Sequence, residues 1–197
     1  MVRVISASFV KSSPNIDEAV AEGVLEVAFL GRSNVGKSSL INALTCKKQL
    51  AKSSSTPGKT QLINFFDIIY ENDDKDRFQA RFVDLPGFGY AKVSKDKKRD
   101  WHKNLNNFIN GRVSIRVFAH LIDARHTNLD ADINVSEYLN SIARLDQKIL
   151  NIYTKADKLT QKEIGAILRK DENAILVSVL NKKGIAEANQ KIFDMLF

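Results

Sequence analysis

One stretch decides how this chain folds: Gly31-Arg32-Ser33-Asn34-Val35-Gly36-Lys37-Ser38. It follows the apolar run Leu25 to Leu30 and opens a segment with helical spacing, Ser38 to Thr45. It fits the pattern G-x-x-x-x-G-K-[ST], in which backbone N–H groups between a strand and a helix converge on phosphates. A chance match would occur in roughly one chain in a hundred of this length, and the flanking strand and helix make chance rarer. The stretch therefore predicts a phosphate-binding loop, called the P-loop below.

We expect every residue of the P-loop, and Ser39 after it, to contact a nucleotide. Lys37 would bridge β- and γ-phosphate oxygens and contribute to catalysis, while the Ser38 hydroxyl would ligate Mg²⁺.

A second motif identifies the base. Thr154-Lys155-Ala156-Asp157 ends the apolar run Lys148 to Tyr153, at the strand end where ligands of open α/β sheets bind. The Asp157 carboxylate can accept hydrogen bonds from guanine N1–H and the exocyclic amine, whereas adenine would leave it unpaired. Lys155 can lay its aliphatic stem along the base. Ser178 and Val179 would offer backbone N–H groups to guanine O6, so the predicted ligand is GTP or GDP.

Two further segments complete the predicted site. The first is Asp84-Leu85-Pro86-Gly87, in which Asp84 would hold Mg²⁺ through water and the Gly87 N–H would approach the γ-phosphate in catalysis. The alternative interpretation of this segment is a turn that begins at Asp84 and has no role in binding. Thr56-Pro57-Gly58-Lys59-Thr60 is a polar loop whose hydroxyl at Thr60 would complete the Mg²⁺ shell and assist catalysis, with Gly58 and Lys59 beside the nucleotide.

Short apolar runs alternate with amphipathic segments, which predicts a sheet of parallel strands covered on both faces. A charged stretch, Glu71 to Arg77, separates Gln61 to Tyr70 from Phe78 to Val83 and predicts a hairpin. The expected fold is a Ras-like P-loop GTPase fold. It is a three-layer α/β/α sandwich with a mostly parallel six-stranded sheet and one antiparallel strand. Val4 to Val10 also favours a short strand, rather than a signal peptide.

Length, composition and charge limit the number of domains, the location and the class of partner. At 197 residues and 44% hydrophobic the chain suits one domain, with residues 1–23 as an N-terminal extension and 24–197 as the GTP-binding (G) domain. No apolar run is long enough to span a bilayer and Cys46 is the single cysteine, so we expect a cytoplasmic monomer without membrane association. The net charge of +7 favours a polyanionic partner such as RNA, although a basic surface without such a role is an equal alternative.

With these elements in order, the chain resembles the translation-factor-related GTPases, and within them the EngB family, also called YihA or YsxC. The resemblance is carried by the stretches from Val27 to Asn42, Thr56 to Gln61, Asp84 to Ala91, Leu121 to His126 and Thr154 to Asp157. It implies a bacterial GTPase needed for assembly of the large ribosomal subunit and linked to cell division and septation. Thr154 stands where most GTPases have Asn, a change usual in this family, and Val179 stands where Ala or Ser is commoner.

Three other features bear on mechanism. Phe88 occupies the position where many GTPases place a water-orienting glutamine, which predicts slow hydrolysis. Asn34 resembles the P-loop Asn that holds K⁺ in related GTPases, making K⁺ a further candidate cofactor, while a loop-bracing Asn is equally consistent. The basic run Lys92 to Arg99 could contact rRNA of the large ribosomal subunit or its precursor, or could be a solvated face.

The leading function is a GTP-switched ribosome-assembly factor. The alternative is a signalling switch in cell division and septation that acts through a protein partner. A small-molecule P-loop kinase does not explain Thr154 to Asp157.

Overall fold

The computed structural model describes residues 1–52, 62–87 and 95–197, without the side chains of residues 95–102. Within these ranges a seven-stranded sheet has the order β1-β3-β4-β2-β5-β6-β7. The strands are β1 Arg3–Ser13, β2 Leu25–Gly31, β3 Ile63–Glu71, β4 Arg77–Asp84, β5 Ile115–Asp123, β6 Lys148–Thr154 and β7 Ile175–Leu176.

The helices follow the predicted alternation with the strands. They are α1 Lys37–Leu44, α2 Lys95–Gly111, α3 Asp130–Ile142, α4 Gln161–Lys170 and α5 Ile185–Leu196, with a short 3₁₀ turn at Ala156–Lys158. Helix α2 begins at Lys95, within the basic run Lys92 to Arg99, a segment whose charged sequence carries no apolar periodicity that would predict a helix. In the described ranges, no helix is both long and apolar enough to cross a membrane.

Strand directions confirm the predicted α/β class with one reversed strand. Strands β4, β2, β5, β6 and β7 pair in parallel, whereas β3 pairs antiparallel with both β1 and β4. The expected hairpin joins β3 and β4 with Glu71 opposite Arg77.

The predicted count of six strands needs correction to seven. The residues expected to form an N-terminal extension contribute β1, which pairs along β3 from Arg3 opposite Glu71 to Ser13 opposite Ile63. This pairing joins segments far apart in the chain, so no local pattern in the sequence indicates it.

The core lies on both faces of the sheet, as a three-layer sandwich requires. Val27 and Phe29 of β2 belong to the cluster that includes Leu40 of α1. Ala28 and Leu30, the alternate residues, pack with Phe108 of α2. All four β2 side chains are fully buried, as expected for a central parallel strand.

A buried ion cluster holds the sheet together at the end where β2 begins. Glu26 is fully buried and accepts hydrogen bonds from Arg112 Nε at 2.8 Å and from Arg112 Nη2 at 2.7 Å. Arg81 reaches the same carboxylate at 3.4 Å, and the Arg112 guanidinium lies over the ring of Phe65 at 5.2 Å. Because Arg112 directly follows α2, the cluster fixes the end of that helix to the sheet.

The opposite end of the sheet gathers the predicted site residues. Register places Phe29 beside Asp84, and Asp123 beside Thr154. The P-loop leaves β2 at this same edge, since β2 ends at Gly31.

Candidate nucleotide-binding site

The P-loop has the backbone that its glycines allow. A Cβ on Gly31 would lie 2.9 Å from Val35 Cγ1 and 3.0 Å from Leu121 O, so no side chain fits there. Gly36 has φ 104° at the start of α1, and Asn34 has φ 64°, both in the left-handed region. The Val35 N–H donates to Arg32 O at 3.2 Å and closes the turn. Ser33 and Asn34 are exposed at its tip, where a phosphate can approach.

The first turn of α1 carries the predicted phosphate and metal ligands. Lys37, Ser38 and Ser39 start the helix, so their N–H groups lie at its positive end. The Lys37 ammonium donates to the carboxylate of Asp84, and both side chains are largely buried. The structure therefore brings together the P-loop lysine and the strand-end carboxylate, which the sequence predicted for one site.

Gly87 lies directly against the P-loop. Leu85 N donates to Phe29 O at 3.1 Å, which leads the chain across the end of β2. A Cβ on Gly87 would be 3.2 Å from Ser33 N and 3.4 Å from Gly31 O. A glycine at this position lets the Gly87 backbone approach the P-loop, where the terminal phosphate is expected.

The base-reading loop is attached to the P-loop by two hydrogen bonds. Buried Thr154 donates from Oγ1 to Val35 O at 2.7 Å, with Ile122 O at 3.2 Å as a second acceptor. Lys155, with φ 59°, donates from Nζ to Asn34 O at 2.8 Å. The phosphate loop and the predicted guanine loop thus form one unit, although 119 residues separate Val35 from Thr154.

Asp157 faces the loop that contains Ser178 and Val179. Ser178 Oγ donates to Asp157 Oδ1 at 2.7 Å, and this hydrogen bond lowers the pKa of Asp157 below its usual range. Ala156 N donates to Val177 O at 3.1 Å, which ties the two loops together. Asp157 is therefore an ionised acceptor at neutral pH, as hydrogen bonds from guanine require.

Two acidic residues support the site without having been predicted to do so. Asp123, at the end of β5, accepts two hydrogen bonds from the Arg125 guanidinium at 2.9 and 2.8 Å and one from Lys155 Nζ at 2.8 Å. The bonds from Arg125, followed by those from Lys155, drive the pKa of Asp123 far below its usual range. Asp123 thereby orients Lys155, and its place at the end of an apolar run, as for Asp84, was the available sequence signal.

Asp132 is the second such residue. It lies in the first turn of α3, is 3% exposed, and accepts from Arg32 Nε at 3.0 Å through both carboxylate oxygens. Burial raises the pKa of Asp132 while Arg32 opposes the rise. The P-loop is thus tied to α3, and no sequence pattern indicated this contact.

Some predicted residues lie outside the described part of the chain. These are Thr56, Gly58, Lys59 and Thr60 of the polar loop, Phe88, and Lys92 of the basic run; for Lys95 to Arg99 only the α2 backbone is described.

The chain is similar to known proteins over most of its length. Residues 26–182 match the family model described as 50S ribosome-binding GTPase. The probable GTP-binding protein EngB of Campylobacter lari is 57% identical over 189 residues, which are 96% of this chain and 94% of that protein. The protein of the same name from Aliarcobacter butzleri is 50% identical over 196 residues, 98% of each chain. A crystal structure of a probable GTP-binding protein EngB superposes with a TM-score of 0.65 at 24% identity, covering 87% of this chain and 98% of that one, and shows the shared fold.

Proposed function

The chain belongs to the EngB family and is a GTPase, and from this premise we propose that it is a nucleotide-switched factor in assembly of the large ribosomal subunit. The observation that carries the nucleotide assignment is the attachment of Thr154 and Lys155 to the P-loop backbone. The description of the matched family, which names the 50S ribosome, supports the assembly role, as does the net charge of +7. This role places the protein in the cytoplasm, where we expect a monomer.

Guanine specificity is assigned to Asp157. Its ionised carboxylate, held by Ser178, would accept from guanine N1–H and the exocyclic amine, and the Val179 backbone would donate to O6. Asp157→Asn should shift preference from guanine to xanthine nucleotides, whose 2-oxo group suits an amide donor. Calorimetry with GDP, XDP and ADP tests this, with Asp146→Asn, a half-exposed carboxylate on the loop before β6, as the control. Equal affinity of the unmodified protein for ADP and GDP would contradict the assignment.

The residues present fit a Mg²⁺ ion. Ser38 offers a hydroxyl next to Lys37, and Asp84 places its carboxylate on Lys37. Hydroxyl, carboxylate and water oxygens are the ligands that Mg²⁺ prefers, and the nucleotide phosphates supply the rest. The described residues contain no cluster of three acidic, His or Cys side chains that could hold a metal without the nucleotide. When bound, Mg²⁺ would neutralise charge on the phosphates, and Thr60 is the proposed third protein ligand.

Catalysis would then depend on positioning and on charge neutralisation by Lys37 and by backbone donors that include Gly87. With Phe88 in place of a water-orienting glutamine, turnover by the isolated protein should be slow, on the order of ~10⁻⁴ to 10⁻² s⁻¹. If Asn34 holds K⁺ near the phosphates, replacing Na⁺ by K⁺ should accelerate hydrolysis and Asn34→Ala should abolish the difference. A rate indifferent to the cation would leave Asn34 as a loop residue whose carbonyl binds Lys155.

Co-sedimentation with purified large-subunit particles tests the assembly role. The protein bound to a non-hydrolysable GTP analogue should bind particles more tightly than the GDP form, because a γ-phosphate would draw Thr60 and Gly87 together and reposition the basic run Lys92 to Arg99. Neutralising Lys95, Lys97 and Lys98 should weaken binding and reduce its salt dependence. Absence of particle binding in both nucleotide states would contradict the role. The names of the relatives give no support to the alternative role in septation.

A further inference from the structure

A cavity of about 560 Å³ opens between α1 and the start of α5. One wall is formed by α1 residues between Ser39 and Ala43 and by Cys46 just after the helix, and the facing wall includes Val179 and Lys182 from the loop before α5. The floor is apolar, with contributions from Ala43 and Ile185.

The rim of this cavity is basic. Lys47, Lys48 and Lys182 line it and are all exposed, and among the described residues no acidic side chain lines it. A neighbouring cavity of about 620 Å³ beside α5 differs in this respect, because Glu172, Glu187 and Asp194 line it. The basic rim is therefore a local property of the α1–α5 cavity and does not follow from the net charge alone.

The cavity shares its walls with the nucleotide site. Ser39 stands in the first turn of α1, and Val179 follows Ser178, the partner of Asp157. Asn42 of α1 exchanges two hydrogen bonds of 2.8 Å with the backbone of Ala51, which fixes the segment that carries Lys47 and Lys48. A ligand in the cavity would thus contact elements that also position the nucleotide.

We propose that the α1–α5 cavity binds RNA, with backbone phosphates on Lys47, Lys48 and Lys182 and a base or ribose against the apolar floor. This inference rests on the proposed function and assigns it a second contact surface, separate from the run Lys92 to Arg99. Lysines on the rim suit phosphate oxygens, and an apolar floor suits an unstacked nucleotide of single-stranded RNA. Because the walls are shared, RNA should change the affinity for GDP, and GDP should change the affinity for RNA by the same factor.

A charge-matched pair of variants tests the surface. The cavity variant combines Lys47→Ala, Lys48→Ala and Lys182→Ala; the control combines Lys11→Ala, Lys148→Ala and Lys162→Ala, which are exposed lysines on β1, β6 and α4. Each variant lowers the net charge from +7 by three, to +4. Binding to large-subunit particles and to protein-free large-subunit rRNA is measured over a salt series, and GDP affinity is measured with and without the rRNA.

The cavity variant should bind both RNA targets at least tenfold more weakly at low salt. Its salt slope should be flatter by up to three charges' worth, about 0.7 to 0.9 per charge. It should also lose the effect of RNA on GDP affinity, while its GDP affinity without RNA stays unchanged. The control variant should stay close to wild type. Equal losses in the two variants would indicate a general field effect and overturn the proposal, as would unchanged binding by the cavity variant.

Cys46, the single cysteine of the chain, provides a local readout because it is exposed and lines the cavity. Bound rRNA should slow alkylation of Cys46 in the wild-type protein at least fivefold, whereas polyglutamate, an acidic polypeptide, should not. Equal protection by polyglutamate would indicate an acidic protein partner and overturn the RNA assignment. RNA binding without any protection would overturn it as well.

The outcomes distinguish failure of the cavity proposal from failure of the assembly role. If particles bind the cavity variant as tightly as wild type, the cavity proposal fails and the assembly role stands. If wild type binds protein-free rRNA through the cavity but no particle, the assembly role fails and the cavity proposal stands. Absence of binding to either target overturns both.

Discussion

Replacing Thr154 by Val tests whether the link between the base-reading loop and the P-loop prepares the site for nucleotide. The two side chains have nearly the same volume, so the substitution removes a hydroxyl without leaving a large cavity. Thr154 is 3% exposed and donates from Oγ1 to Val35 O at 2.7 Å. In Thr154→Val that carbonyl loses its side-chain donor in a place that water reaches poorly.

The expected magnitude follows from the burial of this bond. Leaving a buried acceptor unpaired costs about 1 to 3 kcal/mol. The single hydroxyl proton of Thr154 is shared between Val35 O and Ile122 O, which favours the lower part of that range. If the P-loop of nucleotide-free Thr154→Val must regain its native conformation when GDP binds, that reordering costs about 1 to 2 kcal/mol. The GDP affinity of the variant then falls roughly 5- to 30-fold.

The assay is calorimetric titration with GDP together with urea unfolding of the nucleotide-free protein. Thr154→Ser keeps the hydroxyl and should recover most of the affinity. Thr45→Val is the matched control, because Thr45 is also 3% exposed but donates at 2.8 Å to Ile41 O within α1. If Thr154→Val lowers the free energy of unfolding while its GDP affinity stays within twofold of wild type, the bond is a structural clamp and the reasoning on preparation of the site is wrong.

Three further predictions concern separate parts of the molecule. Burial lowers the pKa of His120 to about 4, from an ordinary value near 6.5, so the unfolded chain binds more protons between these values and the free energy of unfolding should fall as the pH drops through that window. Between pH 7.5 and pH 5 urea unfolding should show a loss of roughly 2 kcal/mol in wild type and none in His120→Leu. Gly87→Ala places a methyl group 3.2 Å from Ser33 N and should lower the rate of GTP hydrolysis more than the GDP affinity, and a single-turnover rate equal to wild type would contradict this. Glu26→Gln leaves Arg112 buried without its ionic partner and should lower the free energy of unfolding in urea by about 3 to 5 kcal/mol. Asp146→Ala, in an exposed pair, should lower it by at most about 1 kcal/mol, and equal losses would show that burial does not set the cost of breaking an ion pair.

The sequence by itself determined the parts of the site that depend on local chemistry. The P-loop needs glycine at position 31, because a Cβ there would clash with Leu121. The motif G-x-x-x-x-G-K-[ST] predicts this glycine from the sequence alone. Thr154 to Asp157 and Asp84 to Gly87 were placed correctly at strand ends, because apolar runs mark buried strands and the ends of parallel strands meet at one edge. The class of fold and the reversed strand followed from the same periodicity.

Only the tertiary structure decided which side chains support that site. Asp123 orients Lys155, and Asp132 binds Arg32 at 3.0 Å across 100 residues of chain. Strand β1 joins the sheet through β3, and the α1–α5 cavity gathers Lys47 and Lys182. In the sequence, an acidic residue or a lysine in a polar segment cannot be distinguished from a solvated surface residue, because the neighbouring residues do not identify its contact partner. Its role depends on a contact between distant segments, and that contact exists only once the sheet has fixed their positions in space.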